Sequence, residues 1–232
     1  MFKVGADWNP KQAQLKILIR DPDRFAEAIS LCRELHGMVH FARLTGREKA
    51  TFGDEAWAGV SEEAFSIMPT SKDVTIGWNF WHITRIEDLT VNLLIQEDRQ
   101  VLDKAWMERL RVGVTDTDTG NAMSDEEIIH LSQRMDKAAL WEYRMAVGRS
   151  TRRMLDSLAP GDLKRKMNAD AIQRILKEGG VTTHPDSIWL LDFWGKKDVA
   201  GLLMMPVTRH QAGHLNDCIR LKEKIRKMKL TC

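Results

Sequence analysis

Val207-Thr208-Arg209-His210-Gln211-Ala212-Gly213-His214-Leu215-Asn216-Asp217 places two histidines four residues apart, a little more than one helical turn. On a helix both rings therefore share a face. The same spacing carried forward puts Val207, His210, His214, Cys218, Leu221, Ile225 and Met228 in one stripe. That stripe is apolar apart from the imidazoles, so both rings are expected to point inward. A buried imidazole needs a hydrogen-bond partner or a metal. The rest of the chain is expected to supply a further ligand and a helical frame.

Outward from this stretch the pattern is helical. Pro206 suits a first helical turn, which predicts a long helix over about residues 206–227, with 199–205 as a lead-in or kinked extension. Trp78, His82, Ile86, Leu89 and Leu93 follow helical spacing and predict a second long helix over about 74–96. The capping box Ser124-Asp125-Glu126-Glu127 opens a third, running to about residue 158, with Ile128, Leu131, Met135, Ala138, Glu142 and Met145 on its inner face. Phe25, Ile29, Cys32, His36 and Val39 mark a fourth over about 24–44. Short helices are expected over about 98–112, 161–167, 168–178 and 188–194, a long crossover with one helical piece over 46–70, and irregular chain over the first 22 residues. No segment alternates with period two. The expectation is an all-α chain: a four-helix bundle with long crossover connections and short accessory helices, forming a single domain over residues 1–232.

Composition narrows the function classes. The 232 residues are 43% hydrophobic and 29% charged, with a formal net charge of +2, ordinary for a globular protein. The basic cluster Arg220, Lys222, Lys224, Arg226, Lys227 and Lys229 suits a solvated helix C-terminus, and without interleaved aromatics it argues for no nucleic-acid partner. Cys32, Cys218 and Cys232 form no CxxC pair, which points to a reducing, cytoplasmic setting. The first residues hold no signal-peptide core, and no apolar run reaches the roughly 18 residues of a membrane span.

His82, His210 and His214 thus sit on the inner faces of two long helices. Such rings are either core histidines bonded to backbone or carboxylates, or ligands of a divalent ion. Three neutral imidazoles leave a coordination position open, which is the pattern of a catalytic rather than a structural metal site.

Ile76-Gly77-Trp78-Asn79-Phe80-Trp81-His82-Ile83-Thr84-Arg85-Ile86-Glu87-Asp88 resembles the second-helix signature of the DinB/YfiT-like superfamily. The HxxxH of His210 and His214 resembles the fourth-helix motif of the same superfamily, and Leu35-His36-Gly37-Met38-Val39-His40 is similar to a first-helix pattern of some members. The resemblance spans about residues 20–225. It implies a four-helix bundle that binds zinc or nickel, or iron or manganese in their place, through His82, His210 and His214. It also implies a homodimer and, for some members, transfer of a low-molecular-weight thiol such as bacillithiol or mycothiol. The chain departs from the commoner pattern where Leu215-Asn216-Asp217 replaces a glycine-glutamine after the last histidine, and in a longer insertion between the second and third helices.

Two further residues are catalytic candidates. Asp217 can orient a histidine or accept a proton, or it can pair with Arg220 or Lys224. Arg85 can anchor an anionic substrate, or pair with Glu142 across the bundle. His36 and His40 form a second i, i+4 pair, read as carbonyl caps or cavity lining beside a supplementary-ligand role. Cys218 and most tryptophans are read as packing. The resulting expectation is a metal-dependent enzyme acting on a small molecule, as a thiol transferase or a hydrolase. The competing class is a non-catalytic metal-binding module linked to stress.

Overall fold

The computed structural model describes residues 2–230; Cys232 and the side chain of Lys229 lie outside the described part. In chain order the helices are α1 (Asn9–Leu18), α2 (Phe25–Val39), α3 (Ala42–Thr45), α4 (Phe52–Trp57), α5 (Glu62–Ser66), α6 (Ile76–Asp88), α7 (Lys104–Leu110), α8 (Asp125–Arg134), α9 (Lys137–Ser157), α10 (Ala169–Lys177), α11 (Pro185–Gly195), α12 (Val199–Met204) and α13 (His210–Leu230). Wide π turns at Leu89–Ile95 and Met205–Arg209 extend α6 and precede α13. Among the described residues there is no strand, only an isolated bridge between Lys166 and Asp198. The all-α expectation holds. No helix among them is long and apolar enough to cross a membrane.

Every residue of α6 is buried, because the helix is wrapped by α13, α9, α8 and α5. Around it, α2 touches both α9 and α13. The helix starts where the Thr75 hydroxyl accepts the amide of Trp78 at 2.9 Å. At Gly77 a side chain would meet the Phe65 ring at 2.7 Å, so the missing Cβ is what lets α5 lie this close. Trp81 and Phe80 are fully enclosed, each contributing about 1.5–3 kcal/mol of burial. The polar residues of α6 are enclosed with them, and each must find a partner.

Five expectations need correction. The helix expected over 24–44 stops at Val39, because His40 and Phe41 are extended and α3 starts afresh. The N-terminal segment is helical: a π turn at Val4–Trp8 leads into α1, whose Leu15 and Leu18 pack into the core. The segment over 98–112 becomes helical only at Lys104, because Asp103 caps α7 through the amide of Trp106. The third long helix is two helices, since Met135 is extended and Asp136 caps α9 by accepting from Ala139 N at 2.9 Å. That break resets the phase: Ala138 and Glu142 face solvent while Leu140, Tyr143, Arg144 and Val147 turn inward. At the other end of the chain, Met228 is 44% exposed and leaves the α13 stripe.

Candidate metal centre

α6 and α13 bring the three predicted histidines together. The Nε2 atoms of His82 and His210 lie 3.2 Å apart, and the ring centroids are separated by 5.0 Å (His82–His210), 4.7 Å (His82–His214) and 4.6 Å (His210–His214). One nitrogen from each ring falls within 4.8 Å of the other two, a cluster that could hold a metal ion. His82 is 3% exposed, and the indole of Trp78 stacks on its ring at 4.5 Å.

The ring orientations come from partners that sequence periodicity did not identify. Residues 117–120 lay successive carbonyls along α6. Arg85 Nε donates to Thr117 O at 2.8 Å, Trp81 Nε1 to Asp118 O at 3.1 Å, His82 Nδ1 to Thr119 O at 2.7 Å and Trp78 Nε1 to Gly120 O at 3.1 Å. A carbonyl only accepts, so the His82 proton is on Nδ1 and Nε2 presents a lone pair. For His214, Nδ1 lies 2.8 Å from Asn79 Oδ1, and Asn79 Nδ2 is committed to Thr75 O at 2.9 Å. The amide is thereby oriented, and His214 Nε2 is also left with its lone pair. His210 differs: its Nδ1 is buried with no hydrogen-bond partner. Two Nε2 lone pairs facing each other at 3.2 Å repel unless a cation or a proton lies between them. The donor set, with two of three rings oriented through the far nitrogen, fits a divalent ion such as zinc or nickel.

Burial keeps these rings neutral, as ligation requires. It pushes His82 down to about 3, with His214 adding to the effect, and His214 down to about 4. It holds His210 well below its ordinary value, helped by the other two rings. Burial also takes His40 down to about 3, against the pull of Glu87. The unfolded chain takes up protons at these four rings below about pH 6.5, and the folded chain does not. Stability of the metal-free protein should therefore fall as pH drops below about 6.5 and keep falling toward pH 4. Thermal melts of chelator-treated protein between pH 8 and 4.5 check this, and a flat melting temperature down to pH 5 would refute it.

A family model for the DinB superfamily matches residues 54–217, a span that contains all three histidines. The chain belongs to the DinB superfamily. No curated protein matches it. The matched span begins after α2, so His36 and His40 lie outside it, whereas Glu87 and Gln211 lie within the DinB match.

The other sequence candidates fall elsewhere. The Asp217 carboxylate is paired with Arg220, and Asp217 lines a surface cleft with Lys72, Asp73 and Lys224. Arg85 is fully buried and does not meet Glu142. It bonds Asp88 Oδ2 at 3.1 Å, the Tyr143 hydroxyl at 3.0 Å and Gln100 Oε1 at 2.9 Å, while Glu142 is exposed and pairs with Arg109. The phase reset at Asp136 is the reason. Cys218 is buried, and burial pushes its thiol well above the usual range, as expected of packing rather than of a reactive group.

His36 and His40 cap no carbonyl. Both converge on Glu87, a residue that helical spacing did not single out. Glu87 Oε1 accepts from His36 Nε2 at 2.8 Å and Thr151 Oγ1 at 2.6 Å; Oε2 accepts from His40 Nε2 at 2.8 Å and Gln211 Nε2 at 2.8 Å. Burial acts to raise Glu87, yet the two histidines and their hydrogen bonds outweigh it and hold the carboxyl well below the usual range. These residues also have metal-ligand spacing. Four donors, however, already occupy the lone-pair positions of the carboxylate. A metal would drive both ring protons onto Nδ1 atoms that are buried and unpartnered, leaving two enclosed donors unpaired. The chemistry favours a hydrogen-bonded hub here and an ion at the three-histidine cluster.

Proposed function

We propose that the chain is a metal-dependent enzyme that uses His82, His210 and His214 to hold one divalent ion, zinc or nickel by preference, with iron or manganese as alternatives, and that transfers a low-molecular-weight thiol to an electrophilic small molecule. The observation that carries the reading is the donor set: three neutral imidazoles converge, and among the described residues no fourth histidine, cysteine or carboxylate joins their cluster. Such a set leaves a position for a substrate atom. His210 and His214 are half-buried rather than fully enclosed.

When bound, a divalent ion supplies Lewis acidity, bringing a thiol or water that shares it toward deprotonation near neutral pH. The chain's own part is orientation and enclosure. Thr119 O and Asn79 Oδ1 hold two ligand rings in the tautomer that presents Nε2. Trp78 covers His82 on one side. The ligands bring no negative charge, which favours an anionic fourth ligand such as a thiolate over a neutral one. The resemblance to thiol-transferring members supports the same substrate class.

The test starts from untagged protein. Elemental analysis should find one divalent ion per chain. The loaded protein should speed the reaction of a cysteine-type thiol with 1-chloro-2,4-dinitrobenzene, in which a C–S bond forms and chloride leaves, and chelation should abolish the gain. Equal rates with and without metal would overturn the enzymatic reading. Hydrolysis of ester or amide probes without thiol would transfer it to a hydrolase.

A further inference from the structure

Two of the three ligand rings are steered through their second nitrogen, His82 by Thr119 and His214 by Asn79. His210 has no such partner, so its ring goes wherever its backbone places it. That backbone lies at an awkward point. Pro206 brings no N–H to the helix, and the chain widens into the π turn Met205–Arg209, so that the amide of His210 bonds to Met205 O, five residues back. A wide turn can migrate along a helix, and one displaced past His210 would rotate this ring away from His214 and His82.

Gln211 clamps this turn. Its Nε2 faces Pro206 O at 3.3 Å and Val207 O at 3.2 Å, and donates to Glu87 Oε2 at 2.8 Å. Its Oε1 accepts from Arg144 Nη2 at 2.7 Å, and the same Arg144 nitrogen donates to Val39 O at 2.8 Å. All three side chains are fully buried. Charged partners on both sides of the amide make these bonds stronger than neutral ones. Glu87 in turn is fixed by His36 of α2, by His40 just past the end of α2 and by Thr151 from α9.

We propose that Gln211, held between Glu87 and Arg144, is the positioning residue for His210: it locks the π turn that aims the one ligand ring whose Nδ1 has no hydrogen-bond partner. This rests on the three-histidine metal reading. The hub at Glu87 thereby gains a role beyond stability, because it connects α2 and α9 to the metal-binding end of α13.

The test is zinc affinity, measured by competition with a chromophoric chelator, together with the visible absorption of the cobalt-substituted protein. Gln211→Met keeps the side chain's bulk and removes its hydrogen bonds; Gln211→Asn keeps the amide but shortens its reach, and decides the matter should the methionine variant not fold. Either change should weaken zinc binding by about 10–100-fold and alter the cobalt spectrum. Thr151→Val, which removes a different donor from Glu87, should lower the melting temperature yet leave zinc affinity within about twofold. In a His210→Ala background the Gln211 substitution should add no more than about twofold, since the ring it positions is gone. Wild-type affinity and spectrum in a folded Gln211 variant would overturn the proposal, as would an undiminished effect in the His210→Ala background. A wild-type chain that binds no zinc would instead overturn the metal reading, and this one with it.

Discussion

Replacing His82 with alanine should weaken zinc binding by more than about 100-fold, a larger loss than the 10–100-fold typical of removing a residue that only orients a ligand. The expectation follows from where the ring sits. His82 is the sole member of the three-histidine cluster contributed by α6, and its Nε2 lies 3.2 Å from that of His210. Without it, an ion is left with two imidazoles from neighbouring turns of one helix, a pair that many unrelated helices could offer. The structural penalty should be small by comparison. Thr119 O loses a donor, at about 1–3 kcal/mol, and Trp78 loses the ring it stacks on. Below about pH 6.5, the metal-free protein also no longer has to keep this imidazole uncharged. Chelator competition and circular dichroism on the same sample separate the two effects. Unchanged zinc affinity in a folded His82→Ala protein would remove the ligand assignment.

The parts of this site that were legible in the sequence are those carried by side-chain periodicity. His210 and His214 announce themselves by spacing, and His82 falls on an apolar stripe of the next long helix. Their partners left no such mark. Thr119 acts through its backbone carbonyl, and any residue there has one. Glu87 was invisible for a different reason: a stripe through Trp78, His82 and Ile86 assumes a helix with one buried face, whereas α6 is buried all round. Its polar residues had to be read as partnered rather than as exposed. The third helix misled because a capping box at Ser124 begins a real helix, and the apolar pattern continues past Asp136 as if the chain did too. Asp136 is itself a capping residue, so the break had a signal. Carrying the heptad phase across it produced the mistaken pairing of Arg85 with Glu142. The N-terminal helix was missed because Lys11, Gln12, Gln14 and Lys16 separate its few apolar anchors.

Glu87→Ala should destabilise the metal-free protein by about 3–5 kcal/mol, the range for deleting one partner of an enclosed ionic cluster. The substitution strands His36 Nε2 and His40 Nε2 and takes an acceptor from the Thr151 hydroxyl and from Gln211 Nε2, which keep only their bonds to helix carbonyls. It also strips Arg144 of the buried negative charge that opposes the effect of burial, which already takes the guanidinium down to about 10. Glu87→Gln should recover only part of the loss, because its amide nitrogen would turn a donor toward two existing donors. Urea unfolding with an unchanged m-value is the measurement, and a loss below about 1 kcal/mol would show that the four hydrogen bonds contribute little. The decisive contrast is a variant carrying Glu87→Leu, His36→Leu and His40→Leu together. An unpaired buried group costs more than a matched pair contributes, so removing the rings along with the carboxylate should restore stability relative to Glu87→Ala. If Gln211 takes its position from Glu87, the same triple variant regains its fold without regaining zinc affinity.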